Sequence, residues 1–376
     1  MSTLVMYNKN FLSICWCAWM LLAPAAWASS EALADARALG MGDTRIAFAY
    51  APTLNPALLS LHGDKQLFWD PPALAVRISD PQRVAAAVTG RYALRDYYHG
   101  AGYAARGYVR HSLNEREIIL GQERFLLRAV QGLSQYAERA DVQASAGMSL
   151  PNPVLGAGVY SNAYGSAARL AVAEGGFHQR AVAINELGLA LARQFAVYGD
   201  VSFGVAPKRM DILTYERVSA AGDATYDRTQ ERIQHDFNVD FGVARRYETG
   251  WSLGGAVTNL LPVSVTAASG DNFRLLPNVR FGLSFQDART LYAADVDMMD
   301  QQNWVDGAKR RYFGLGVEHT WHILQMRAGY RHNLAVDQVG VASVGLGVQA
   351  FGFHMDAALA GNAQELGASA QLGYRI

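Results

Sequence analysis

The side chains of this chain that are best placed to do chemistry are carboxylates at two-residue spacing. Asp295 and Asp297 are separated by one residue, and Asp240 belongs to a similar stretch earlier in the chain. Residues two apart on a β-strand point to the same face, so the first two carboxylates would share a surface. Such a pair can bind a hard cation or act as general acid and base. The alternative is that the carboxylates form ion pairs with arginines of neighbouring strands.

Other catalytic and cofactor-binding patterns are weak. Gly40-Met41-Gly42 resembles the start of a dinucleotide-binding loop, but no third glycine follows at the required offset, so it predicts a tight turn. Ser284, Glu318 and His319 are the residue types of a hydrolase, yet no G-x-S-x-G motif occurs. The histidines lack H-E-x-x-H spacing. We therefore expect no enzymatic activity, no cofactor and no metal site.

Charge balance and cysteine placement exclude several classes of protein. Basic and acidic residues both number 33, so the net charge is zero and gives no general attraction to nucleic acid. The two cysteines, Cys15 and Cys17, lie in a segment typical of a signal peptide, with an apolar stretch at 11–25 and a final A-x-A site. We expect a signal peptide at 1–28, cleaved after Ala28, and an exported protein without thiols. An uncleaved membrane anchor is the alternative.

Alternating apolar and polar residues predict long β-strands in the second half of the chain. From 237 to 243, every second residue is Phe or Val, and the residues between them are Asn, Asp and Gly. Similar stretches of about 9–11 residues match the length of a tilted membrane strand, whereas soluble sandwiches use about 5–6 residues. Since only helices and closed barrels satisfy their backbone in lipid, the pattern predicts a membrane barrel.

The connections between these strands alternate between short and long. Residues 194–198 and 247–250 are short connections, and 164–181 and 212–234 are long ones. Outer-membrane barrels have short periplasmic turns and longer outer loops. The expected fold is an all-β, antiparallel up-and-down transmembrane β-barrel of about 14 strands (~12–14). The predicted strands are 72–78, 142–149, 153–163, 182–193, 199–212, 235–246, 251–260, 277–286, 290–298, 310–319, 324–332, 339–349, 353–360 and 366–376.

The polar face of the predicted strands carries charges and glycines together, as a narrow wet lumen requires. Asp295 and Asp297 would face Arg280, Arg327 and Arg331 there as lumen ion pairs, because such pairs stabilise charges where water is scarce. The predicted lumen charge network consists of Asp240, Arg280, Asp295, Asp297, Glu318, Arg327 and Arg331.

Two segments do not fit simple hairpins. Residues 29–66 precede the barrel, which we place at 67–376, and either plug the lumen or form a disordered leader. Residues 81–140 have helical periodicity around Phe125 and Leu126. Strand parity places this helical insert outside the barrel or in its mouth. If 74–78 is not a membrane strand, the insert lies on the periplasmic side.

Large aromatic residues lie near the ends of predicted strands, where they are expected to form interfacial belts. Core aromatics of a soluble protein are the alternative. These residues are Trp251, Trp304, Trp321, Tyr312 and Tyr330.

Several short motifs resemble those of a known family. Ala36 to Gly42, followed by Asn55-Pro56-Ala57, is similar to the opening of fatty-acid-transporter (FadL)-type barrels. Six further motifs, in order, resemble the conjugal transfer protein TraF barrel family, a branch of the same superfamily. They are Ala192 to Phe195, Gly204 to Lys208, Asn238 to Gly242, Thr258 to Pro262, Ala294 to Asp297 and Arg327 to Arg331.

The resemblance implies a barrel with an N-terminal plug in the outer membrane of a Gram-negative cell. In FadL-type relatives the N-terminal segment helps to gate the entry of hydrophobic molecules. Carried over to this sequence, this suggests that Asn55, Pro56 and Ala57 form a hatch turn, with Gly40 and Gly42 in the same plug. The alternative is that Asn-Pro simply turns the chain against the wall.

Three functions follow as hypotheses. The first is a passive channel or transporter for small hydrophobic molecules, and the second is a non-transporting component of a conjugation or surface apparatus. An outer-membrane hydrolase is the third. Expected partners are outer-membrane lipid and the barrel-assembly machinery, together with a small hydrophobic ligand or apparatus proteins, but no nucleic acid.

Overall fold

The computed structural model describes residues 35–48, 54–61, 67–79, 115–134, 137–172, 176–196, 200–219 and 230–375. The expected signal peptide lies outside these residues, as do parts of the expected plug and the first part of the expected helical insert. None of the helices among the described residues is long and apolar enough to cross a membrane.

Fourteen strands form one closed antiparallel barrel, in which each strand pairs with its sequence neighbours and the first strand closes on the last. The predicted fold is therefore confirmed. The wall strands are β1 (Phe68–Ser79), β2 (Arg139–Leu150), β3 (Gly156–Ala171), β4 (Phe177–Phe195), β5 (Val201–Ser219), β6 (Glu231–Arg246), β7 (Trp251–Thr258), β10 (Asn278–Gln286), β11 (Thr290–Asp297), β14 (Tyr312–Trp321), β15 (Leu324–Asn333), β16 (Val341–Ala350), β17 (Phe353–Gly361) and β18 (Glu365–Arg375).

Two small hairpins and three helices complete the described elements. The hairpins lie within connections at one end of the barrel. They are β8 (Val263–Thr266) with β9 (Asn272–Leu275), and β12 (Gln301–Gln302) with β13 (Lys309–Arg310). The helices are α1 (Ala36–Gly40), α2 (Leu58–Leu61) and α3 (Glu115–Ser134).

The alternating sequence pattern sets the two faces of the wall. On β10, Phe281 and Leu283 point outward and are exposed, whereas Arg280 and Ser284 point inward and are buried. The other wall strands also carry exposed apolar side chains outside and buried polar side chains inside. This arrangement fits a barrel surrounded by hydrocarbon, because the outer belt is apolar and the lumen is polar.

Short and long connections alternate around most of the barrel, but the long loop predicted at 164–181 is wrong, and the long connection predicted at 212–234 spans only 220–230. β3 continues to Ala171 and β5 to Ser219, so the connection between β3 and β4 spans only 172–176. The outer parts of these strands are buried on both faces. Residues covered on both sides have no reason to alternate between apolar and polar, so the sequence pattern ends before the strand does.

Helix α3 covers the outer face of these extended strands. Leu126, Leu127 and Val130 pack against outward-facing residues such as Ala163 on β3 and Leu213 on β5. The helix therefore lies outside the wall, at the end with the long connections. The predicted insert extended to about residue 140, but Arg139 and Ala140 already belong to β2.

The connections after β7 and β11 fold inward and fill the mouth of the barrel. β7 leaves the wall at Asn259, whose φ of 54° turns the chain toward the lumen. Phe273 stacks on Trp304, with ring centroids 4.7 Å apart. We call this group the mouth cluster; it comprises Val263, Val265, Ala267, Phe273, Leu275, Trp304 and Val305 from the connections, and Ala168, Val182, Ile184, Met210 and Ile212 from the inner wall.

The predicted aromatic belt is only partly present. Trp251, Trp321 and Tyr330 face outward and are about half exposed. Trp304 and Tyr312 are buried instead, so their assignment to the belt is wrong. Trp304 lies in a connection that folds into the mouth, and Tyr312 points inward beneath the guanidinium of Arg331.

Candidate functional site: a hatch along the inner wall

The described residues before β1 run along the inside of the barrel. We call residues 35–48 and 54–61 the hatch. Helix α1 packs against β16 and β17, and α2 packs against β4 and β5. Between them the hatch follows the inner wall past β15, β14, β10, β7 and β6. It lies nearer the short-connection end than the mouth cluster does, so the lumen is occupied at two levels.

Glycines on the inner wall leave room for this backbone. A β-carbon at Gly204 would overlap the backbone of Pro56 and Ala57, and one at Gly254 would overlap the carbonyl group of Ile46. The inward-facing glycines seen in the sequence therefore have a structural role. A backbone can approach a strand closely only where side chains are missing. The glycines that contact the hatch are Gly156, Gly204, Gly242, Gly254, Gly282, Gly314, Gly316, Gly329 and Gly345.

Gly40 and Gly42 lie where α1 ends and the hatch turns. Asp35 caps the helix by accepting a hydrogen bond from the Ala38 amide at 2.9 Å. Burial raises the pKa of the Asp35 carboxyl above its ordinary value, although this amide opposes the shift. Gly42 has a φ of 67° and donates its amide proton to Ser343 Oγ at 3.0 Å. The structure therefore places this motif in a turn held to the wall.

Asn55 connects the two described parts of the hatch to each other and to the wall. Its Nδ2 donates to the Ile46 carbonyl at 2.9 Å and to the Val243 carbonyl at 3.3 Å. Its Oδ1 accepts from the Ala57 amide at 3.1 Å. Asn55 and Ala57 are completely buried. The predicted Asn-Pro-Ala turn is thus present and packs against β5 and β6.

One charge network joins the start of the hatch to β14, β15 and β17. The guanidinium of Arg37 donates to Glu318 at 2.6 and 2.8 Å. Arg327, which is fully buried, donates to Glu318 and to Asp356, both at 2.6 Å. Two arginines and two carboxylates therefore balance in charge, and one of the arginines belongs to the hatch.

A second network holds the middle of the hatch. Arg280 donates to its cross-strand neighbour Asp297 at 2.7 Å and reaches Asp43 of the hatch at 3.4 Å. Asp295 accepts from the backbone amides of Arg45 at 2.7 Å and Ile46 at 3.1 Å. The Asp295 carboxylate thus binds main-chain donors of the hatch.

The predicted lumen network is therefore divided, and part of the prediction is wrong. Arg327 and Arg331 do not face Asp295 or Asp297, because β14 separates their strands and short cross-strand distances favour direct neighbours. Arg331 donates to Glu365 instead, at 2.7 Å. Asp240 belongs to a third group, described next.

The third group surrounds a buried lysine between the hatch and the mouth cluster. Lys208 lies 2.9 Å from Glu186 and 3.0 Å from Asp240, and all three are buried. Sequence reasoning missed Lys208 and Glu186 as lumen charges, together with Arg37, Asp43 and Arg45. Lys208 is one of four lysines and lies on an alternating strand, which was the available signal.

The geometry does not assemble the candidate catalytic groups. Ser284 and Glu318 point into the lumen, whereas His319 faces outward, is exposed and lies 2.9 Å from Thr290 Oγ1. Within the described part of the chain, no group of three His, Cys, Asp or Glu side chains is arranged to hold a metal ion. The first two charge networks and the wall glycines hold the hatch across the lumen, whereas the Lys208 group joins wall strands to one another.

The barrel resembles solved channel structures at low sequence identity. The CymD monoaromatic hydrocarbon channel matches with a TM-score of 0.56 and 11% identity, covering 93% of this chain and 98% of that one. A Pseudomonas aeruginosa FadL homologue matches at 0.54 and 12%, covering 94% and 99%. The Pseudomonas putida toluene transporter TodX matches at 0.52 and 10%, covering 94% and 99%. These likenesses establish the fold.

A sequence comparison identifies the family. Among proteins with curated descriptions, none matches this chain. The family model described as "F plasmid transfer operon, TraF, protein" matches residues 52–297, which is more than half of the chain. The matched region includes the end of the hatch and the wall through β11. The protein therefore belongs to this TraF family.

Proposed function

We propose that the protein is an outer-membrane channel that passively admits small hydrophobic molecules, with the hatch as its gate. The fold is shared with channels for such molecules, and the apolar outer belt suits a bilayer. The observation that carries the proposal is the way in which the hatch is bound. Among the described residues it is held across the lumen by ion pairs and hydrogen bonds to the wall, which can break and re-form without covalent chemistry.

The mouth cluster suits the entry of an apolar molecule. Phe273 and Trp304 present aromatic rings, and the surrounding wall residues are aliphatic. A small hydrophobic molecule would replace these contacts with similar ones, whereas an ion would lose its hydration. Beneath the cluster, the Lys208 group and the hatch lie in the lumen, where the molecule would have to pass them.

Uptake by cells is the direct test of transport. A deletion strain should accumulate a radiolabelled monoaromatic hydrocarbon more slowly than its parent at low external concentration, and the wild-type gene should restore the rate. Equal rates in the deletion and parent strains would argue against transport of this class.

Asn55→Ala tests whether the hatch is the gate. The substitution removes the hydrogen bonds to Ile46, Val243 and Ala57, and we expect a more permeable barrel, seen as increased sensitivity to large hydrophobic antibiotics. The matched control is Asn362→Ala in an outer connection, where the side chain also bonds to neighbouring backbone groups. The gating role is rejected if the two variants change permeability equally.

A non-transporting role in a conjugation or surface apparatus is the second candidate. Two observations favour it: the description of the family, and the position of α3 as an additional surface outside the wall. This role predicts reduced plasmid transfer in the deletion strain with unchanged hydrocarbon uptake. The channel hypothesis predicts the opposite pair of results.

A further inference from the structure

An apolar groove of about 550 Å³ lies on the outer face of the wall across β6, β7, β10, β11 and β14. Its lining is almost entirely apolar, and its volume is in the range of ordinary ligand pockets, which is about 300–1,000 Å³. The outward-facing residues along it are Val243, Leu253, Phe281, Leu283, Val296 and Phe313.

Two small residues create the groove. Gly255 on β7 and Ala294 on β11 face outward. Gly255 is buried beneath neighbouring side chains, which therefore lie low against the wall and form the floor of the groove together with Ala294. Phe281 and Val243 lie against Gly255, where a β-carbon would be 3.0 and 3.3 Å from their side chains. The belt is therefore indented at this place.

A second outward-facing glycine shows how such an indentation is filled elsewhere. At Gly165 on β3, the side chains of Val130 and Leu126 from α3 would lie 3.2 and 3.4 Å from a β-carbon. The chain thus covers this position with its own helix. At Gly255, the cover consists of the side chains of Phe281 and Val243, and no helix among the described residues lies over the groove that remains above them.

A cationic side chain lies at the end of the groove nearest the short connections. Arg245 points outward on β6, with its guanidinium 4.5 Å from the centre of the Tyr247 ring. Its Nε is buried and has no hydrogen-bond partner among the described residues. Trp251 and Phe285 pair at the same level, 4.9 Å apart. Aromatic residues together with arginine are typical of the headgroup region of a membrane.

We propose that this groove is a binding site for one phospholipid of the periplasmic leaflet. An acyl chain lies in the groove over Phe281 and Ala294, and the phosphate accepts hydrogen bonds from the terminal nitrogens of the Arg245 guanidinium. The occupant comes from the bilayer because the groove is continuous with the lipid-facing belt. Arginine suits the phosphate because its planar group forms charge-assisted, forked hydrogen bonds.

Two variants remove the two halves of the site separately. Ala294→Leu fills the groove with a larger apolar side chain, and Arg245→Gln removes the charge. Ala328→Leu is the matched control for the first, because Ala328 also faces outward, but on β15. Arg246→Gln is the control for the second, because Arg246 is exposed and does not line the groove.

Native mass spectrometry of the detergent-purified, partly delipidated barrel measures the result. We expect the wild type to retain one phospholipid. Arg245→Gln should lower its affinity about tenfold, since a charge-assisted hydrogen bond contributes about the energy of a tenfold change in affinity. Ala294→Leu should also lower lipid retention, because the larger side chain occupies the space of the acyl chain. The controls should retain the lipid. Heat-modifiable gel migration verifies that every variant is folded. A wild type that retains no phospholipid, or only detergent or phosphate, overturns the proposal. So does equal loss from site variants and controls.

Discussion

The hatch and the mouth cluster both occupy the lumen, but different chemistry holds each of them against the wall. The hatch backbone lies on glycines, and its polar groups bond to charged or hydroxyl side chains such as Asp295 and Ser343. The mouth cluster packs aromatic and aliphatic side chains against Ile184 and Ile212. One closure depends on specific partners, and the other depends on apolar contact area.

This difference suggests how each closure opens. The ion pairs and hydrogen bonds that hold the hatch are expected to break in one step, because breaking a single pair leaves a buried charge without compensation. An apolar cluster can rearrange gradually and can exchange a side chain for a ligand of similar character. The hatch therefore suits a two-state gate, and the mouth suits a site of variable occupancy.

The largest effect is expected for Arg327→Ala. The substitution leaves the buried Asp356 carboxylate without its arginine and weakens the group that binds Arg37 of the hatch. We expect the free energy of unfolding to fall by about 4 kcal/mol, as for other broken buried pairs. Denaturant titration of the purified barrel measures this change, and limited proteolysis should show earlier cleavage of the hatch.

The control for this prediction is a half-exposed pair. Arg311 lies 3.3 Å from Asp300 outside the lumen. Arg311→Ala should lower the free energy of unfolding by at most about 1 kcal/mol, because solvent screens exposed pairs. Similar losses for both variants would contradict the view that the hatch depends on its charge partners.

Trp304→Ala should disturb the mouth while leaving the hatch in place. Loss of the stack on Phe273 should cost about 3 kcal/mol, typical of removing a buried aromatic side chain. The expected result is faster surface proteolysis within the connection at 298–311, with unchanged protection of the hatch. Trp321→Ala, at an exposed outward position, is the matched control. Simultaneous release of both segments would show that the two closures are coupled.

The wall strands were predictable from the sequence because the two faces of a barrel wall meet different surroundings. Alternation identified β10, β14 and β15 closely, since one face of each strand meets lipid and the other meets polar groups. It failed at the outer part of β3, where α3 covers one face and the mouth cluster packs against the other. With apolar neighbours on both sides, a strand loses the periodicity that reveals it.

The candidate site was less predictable than the wall. Arg280, Arg327 and Arg331 were all predicted to pair with Asp295 or Asp297, but among them the structure pairs Arg280 with Asp297, because pairing depends on strand order and register, which alternation does not determine. Asp295 bonds to backbone amides of a distant segment, and such donors leave no trace in residue types. The glycines on the polar face were visible in the sequence, but only the structure shows that they make room for the hatch backbone.

Gly204→Ala tests the fit between the hatch and the wall by adding a single methyl group, and it has the smallest expected effect on stability. The added methyl group would overlap the backbone of Pro56 and Ala57, and backbone cannot move aside as a side chain can. We expect a loss of about 1–2 kcal/mol, in the range of overpacked positions. We also expect greater protease access to the hatch. Gly367→Ala on β18 is the matched control, since its nearest neighbours would be 3.7 Å or more from the new β-carbon. If Gly204→Ala leaves hatch protection as high as Gly367→Ala does, close backbone contact is not what holds the hatch. The charge networks alone would then have to account for its position.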